Sequence, residues 1–167
     1  NLKDQQGAIS LQKALALDPD KSQLHSVLAR HFIASEKVQQ AYAQLTTALG
    51  KNPADNEALR VYIDALLSNQ SLQQAQQLAE TYIQNNPANA EGYLQQARVY
   101  MASEDLVGAE QSLVKAVAAD NNNTQALLGL GQLDFSNQQW QQAAQHFRDV
   151  IAIDNSNIIA YKALIAS

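Results

Sequence analysis

Residues 56–89 read NEALRVYIDALLSNQSLQQAQQLAETYIQNNPAN, and this stretch decides the fold. Leu59, Tyr62, Ile63, Leu66 and Leu67 recur at i, i+3, i+4, i+7 and i+8, which places them on one helical face. Ser68-Asn69-Gln70-Ser71 interrupts the pattern. A second face follows with Leu72, Ala75, Leu78, Ala79, Tyr82 and Ile83. Asn86-Pro87 closes it, because proline lacks the N–H a helix needs and pushes the residue before it towards extended geometry. The stretch predicts two short amphipathic helices joined by a tight turn.

The pattern continues in both directions. Pro19, Pro53 and Pro87 fall 34 residues apart, and the same step lands on Asn121 and Asn155, each inside an Asp/Asn-rich turn. Three further columns keep this register: Ala41, Ala75, Ala109, Ala143; Val38, Leu72, Leu106, Trp140; and Ile33, Leu67, Met101, Phe135. They define a repeated helix pair, a unit that buries its apolar face only by stacking on its neighbours. The columns read as core, and the small Ala column predicts a close approach of paired helices. Full units are expected at 22–55, 56–89, 90–123 and 124–157. A second helix alone precedes them within 1–21, and a first helix alone follows within 158–167. Residues 1–167 read as one array. Neither end has a polar inner face, so the chain is expected to be a piece of a longer solenoid.

Composition narrows the function. Of 167 residues 46% are apolar and only 16% charged, with Gln and Asn filling the difference. The net charge of −5 argues against nucleic acid and anionic membranes as partners. With no cysteine the chain has no disulfide, thiolate zinc site or Cys nucleophile. No apolar run approaches the roughly 20 residues a membrane span needs, so no direct membrane insertion is expected.

The period and the helix-pair pattern resemble the tetratricopeptide repeat (TPR), whose pattern is W-x2-L-G-x2-Y, A-x3-F and P. Leu127, Leu130 and Gly131 match its first half, with Asp134 in the Tyr slot; Ala41 with Leu45, Ala75 with Ala79, Ala109 with Leu113 and Ala143 with Phe147 match its second. The resemblance implies an all-α, right-handed α-solenoid of antiparallel helix pairs and a non-catalytic protein-interaction scaffold. It also implies a concave groove lined by the first helices, holding a protein or peptide. The slots that match the family's binding positions include Arg30, Ile33, Arg60, Asp64, Leu67, Arg98, Met101, Gln132 and Phe135. The row Ile33, Leu67, Met101, Phe135 reads either as groove lining for an amphipathic segment or as inner core. The row Arg30, Asp64, Arg98 reads as charge pairs between neighbouring first helices, with Arg60 and Arg98 suited to a partner carboxylate. The family's carboxylate clamp is not carried over, since its slots hold Ser26, Arg30, Val61, Glu91 and Gln95.

The run 8–20 and the Gln- and Ala-rich units after it are similar to bacterial envelope TPR lipoproteins associated with PEP-CTERM sorting and exopolysaccharide export. That resemblance would imply an envelope location. Two other roles stay open: a substrate-positioning arm of a larger enzyme, and self-assembly through array ends carrying Leu2, Ile9, Ile159, Tyr161 and Ile165.

Nothing in the pattern points to an enzyme or a cofactor. His25 sits in a packing column, His31 is six residues on, and His146 is several units away, which is no metal-ligand spacing. Gly129 and Gly131 lie within a helix and read as close packing. Glu104-Asp105 and Asp18/Asp20 read as turn and cap residues. The Gln pairs 39–40, 73–74, 76–77, 138–139 and 141–142 read as the solvated faces of second helices.

Overall fold

The computed structural model describes residues 2–167, with the side chains at positions 2–6, 8 and 12 left aside; Leu2 is among these. All regular structure among the described residues is helical: α1 (Leu2–Leu17), α2 (Ser22–Ala34), α3 (Val38–Lys51), α4 (Asn56–Ser68), α5 (Leu72–Asn85), α6 (Ala90–Ala102), α7 (Leu106–Ala119), α8 (Thr124–Ser136), α9 (Trp140–Ile153) and α10 (Ile158–Ala166). The even-numbered helices are first helices and start at the expected unit boundaries. The chain forms two compact units, Asn1–Asn86 and Pro87–Ser167. No described helix is long and apolar enough to cross a membrane.

Each turn within a helix pair is made the same way. Glu36, Gln70, Glu104 and Gln138, again 34 residues apart, have φ of 58°, 57°, 62° and 61°. In the first of these turns Glu36 N–H donates to Ile33 C=O (3.0 Å) and Lys37 N–H to Phe32 C=O (2.8 Å). The other three turns repeat both bonds one period on. This is a Schellman motif, which satisfies carbonyls that the helix end leaves open. Left-handed geometry costs a non-glycine residue about 1 kcal/mol, and the two bonds offset it.

First-helix starts form another column. The side chains of Asp55, Asn89, Asn123 and Asn157 accept backbone N–H bonds at 3.0 Å and cap α4, α6, α8 and α10. Lys21, before α2, makes no such bond.

Each core cluster joins a helix pair to the first helix that follows it. In unit 1 Ala29, Ala41, Leu45 and Val61 pack together with Phe32, Ile33 and Tyr62 at the margin. In unit 2 Leu94, Ala97, Ala109, Leu113 and Leu130 form one cluster, and Leu127, Val150 and Ala160 another. The Ala41, Ala75, Ala109, Ala143 column is fully buried. Gly131 shows why small residues are needed: a methyl group there would lie 2.5 Å from Phe147 Cε1. At Gly129 it would lie 2.9 Å from Leu113 Cδ1. One expected core column is corrected. Val38 and Leu72 are half-buried, but Leu106 and Trp140 are 48% and 45% exposed. They open their helices directly after the turn, and even Trp140, whose ring meets Phe135, keeps much of its surface in solvent.

Candidate functional site

The first helices of unit 1 bring several expected residues together. Arg30 on α2 and Ile33, one turn later, face Arg60 and Asp64 on α4. With Val61, Ala65 and Ser68 they line a cleft of about 220 Å³. Leu67 lies outside this lining and is half-buried. The acid against Arg30 is Glu57, and Arg60 donates to the other Glu57 carboxylate oxygen. The sequence reading paired residues a full period apart. Glu57, seven positions before Asp64, meets Arg30 from the first turn of α4. All three side chains are partly exposed, so the pairs position groups more than they stabilise the fold.

The corresponding residues of unit 2 are Arg98 and Met101 on α6, and Gln132 and Phe135 on α8. Arg98 Nη1 donates to Gln95 Oε1 (2.7 Å), and Gln95 Nε2 to Glu91 Oε1 (2.7 Å). This chain runs along α6 with Gln95 fully buried. Met101 is 37% exposed. Phe135 is half-buried and meets the Trp140 ring edge-on, with centroids 4.9 Å apart. Gln132 is exposed. Ile33, Leu67, Met101 and Phe135 share one local position, second from the last helical residue before the left-handed turn. They are neither fully buried nor fully open.

Two histidines make polar contacts within helix pairs or to the turn before them. His25 is buried, with Nδ1 2.8 Å from Gln44 Oε1 and Nε2 3.1 Å from the Pro19 carbonyl. Asp134, in the family's Tyr slot, is buried with its Oδ2 3.4 Å from His146 Nε2 and no hydrogen bond on that oxygen. The departure from the family pattern was the sequence signal for this contact. Asp105 caps α7 through Gly108 N–H (2.9 Å), and Asp20 pairs with Lys51 at 2.5 Å. The Lys51 ammonium, by hydrogen bond and charge, holds the Asp20 carboxyl below its ordinary value. Bonds from Ser156 do the same for Asp154 in the last turn. Burial pushes the Tyr42 phenol up. The Gln pairs are exposed, but Gln138 and Gln139 stand in the turn before α9, not on a second helix. Ile9, Ile159, Tyr161 and Ile165 are exposed on α1 and α10.

Comparison with known proteins agrees with the fold. Residues 26–90 and 100–167 each match a family model described as tetratricopeptide repeat. These models identify the repeat and not an envelope-lipoprotein subtype. No curated protein matches the chain. Among solved structures it is similar to TTC0263, a TPR protein of Thermus thermophilus, at 19% identity over 95% of this chain and 87% of that one, with a TM-score of 0.76. It is similar to PilF of Pseudomonas aeruginosa at 18% identity over 96% and 73%, with a TM-score of 0.73. YrrB, described as a TPR protein with an unusual peptide-binding site, matches at 17% identity over 94% and 81%, with a TM-score of 0.61. At such identities the likeness is one of fold.

Proposed function

From the premise that this chain is built of tetratricopeptide repeats, we propose that it is a non-catalytic scaffold holding a partner polypeptide against its first helices. The observation that carries this reading is the unit 1 cleft, where Arg30, Ile33, Arg60 and Asp64 converge. A guanidinium has five N–H donors, so two of them around one Glu57 retain donors for a further carboxylate. Ile33 beside them takes an apolar side chain. The partner segment therefore carries an acidic residue next to an apolar one. Arg98, Met101, Gln132 and Phe135 offer a basic and apolar set of the same kind in unit 2. Helices that are already formed need little ordering on binding, so more of each contact appears as affinity. That YrrB has a peptide-binding site lends the reading support by analogy of fold.

Selection of displayed peptides against the whole chain tests it. Enriched sequences with an acid beside an apolar residue, bound at least tenfold more weakly by a folded Arg30→Ala/Arg60→Ala variant, are expected. Acid-free peptides that bind the variant equally would overturn the reading. A second reading, self-association, has its own observation. Ile165 is 86% exposed on α10, whereas Ala29, Ile63 and Ala97 at the same position of earlier first helices are fully buried. Sedimentation velocity over a hundredfold concentration range separates it: a constant monomer mass counts against it.

A further inference from the structure

Gly50 is a glycine without a local reason. It lies in the last turn of α3 and has no positive φ, so its backbone does not require glycine. A methyl group added to it would meet nothing within 4 Å, unlike one on Gly129 or Gly131. Glycine in a helix costs about 0.5–1 kcal/mol relative to alanine. The same position holds Ala16, Gln84, Ala118 and Ala152 in the other repeats. What its missing side chain leaves is space. Gly50 borders a cleft of about 350 Å³ within unit 1, between the second helices α3 and α5.

The rest of the lining describes an occupant. Leu49, Pro53 and Leu78 supply apolar surface, and Tyr62 and Tyr82 supply aromatic surface. Both phenols are held: Tyr82 donates to Asn56 Oδ1 (2.6 Å), and Tyr62 OH lies 3.3 Å from Thr46 Oγ1. The Tyr42 ring packs on Tyr62 with centroids 5.3 Å apart. The aromatic surface is thus fixed before anything binds. The lining contains no Asp, Glu, Lys, Arg or His. A charged occupant would lose hydration there and gain no counter-charge. Thr46, Thr81 and Asn85 are exposed at the cleft and offer hydroxyl and amide partners to a ring with a polar tip. The volume falls in the range of ligand pockets, about 300–1,000 Å³.

We propose that this cleft receives a neutral aromatic side chain of a partner polypeptide, at a second contact point apart from the first-helix site. The polypeptide nature of the ligand rests on the scaffold reading; the pocket's preference for a neutral ring rests on its own lining.

The test titrates the full chain with N-acetyl-tryptophanamide and follows the Gly50 amide and the Thr46 and Thr81 methyl groups by NMR. Saturable shifts at these residues are expected, at least tenfold weaker in Gly50→Leu, whose side chain fills the cleft. Thr81→Phe fills it from the exposed side and gives the same loss if Gly50→Leu does not fold. Arg30→Ala/Arg60→Ala binds the probe within twofold of wild type, so the two sites fail separately. Absence of saturable shifts up to the solubility of the probe, or equal shifts in a folded filled variant, overturns the proposal.

Discussion

In unit 1 two guanidiniums, Arg30 and Arg60, share the partly exposed Glu57 carboxylate, whereas in unit 2 a buried Asp134 meets a partly exposed His146 within one helix pair. Both units expose apolar residues, Ile9, Leu17 and Val27 among those of unit 1. Unit 2 exposes Leu106, Val107, Val114 and Trp140 on its second helices. The residues one period before Val107 and Val114 are Gln73 and Glu80. Both units follow the same 34-residue frame and the same turn. The frame therefore settles where helices start and stop, and leaves open which surface is charged and which is greasy. That choice lies with single residues, and single substitutions should be able to break it.

The largest effects fall where the units are alike. Leu59→Ala in unit 1 and Phe147→Ala in unit 2 each empty a fully buried site, at a cost of about 2–5 kcal/mol. Urea unfolding followed by circular dichroism checks the first. The fluorescence of Trp140, the single tryptophan, checks the second. A sharper contrast comes from one substitution made in both units. Gly131→Ala forces a methyl group onto the Phe147 ring and should destabilise by about 1–3 kcal/mol. Gly50→Ala enters open space and should stabilise by about 0.5–1 kcal/mol. Opposite shifts in urea midpoint are the expected result.

Capping separates the units by a similar amount. All three first helices of unit 2 have a side-chain cap, while α2 of unit 1 begins at Lys21 without one. Lys21 has φ −79° and ψ 97°, close to the −74° and 96° of capping Asp55. Lys21→Asp should therefore stabilise by about 1 kcal/mol, read as a raised melting temperature. The smallest effect belongs to Asp20. Its carboxyl is held below the ordinary value, so its contribution is present above the unfolded-state value and is lost as pH falls through the lower folded one. Asp20→Asn should lower the melting temperature slightly at pH 6, and by progressively less as the pH is lowered and the Asp20 carboxyl protonates in the folded state.

Much of this was legible in the sequence. Pro19, Pro53 and Pro87 mark the turns, the Ala column marks the helix contacts, and the helix starts follow from the period. The left-handed turn column was not legible, because none of Glu36, Gln70, Glu104 and Gln138 is glycine and their geometry comes from two backbone bonds. The Leu106 and Trp140 positions misled because periodicity reports a face and not how much of each side chain that face covers. Register arithmetic aligns Arg30 with Asp64, and only the packed helices show Glu57 beside Arg30. At the candidate site, residue types were legible in the sequence, and partners emerged only with packing.

The central claim is that the unit 1 cleft grips a partner carboxylate through Arg30 and Arg60. Its most direct measurement is the affinity of a selected acidic–apolar peptide for wild type and for Arg30→Ala/Arg60→Ala, by fluorescence anisotropy. The account predicts a loss of at least tenfold in the variant, and a similar loss when the peptide's acid is replaced by its amide. An unchanged affinity in a folded variant would contradict it.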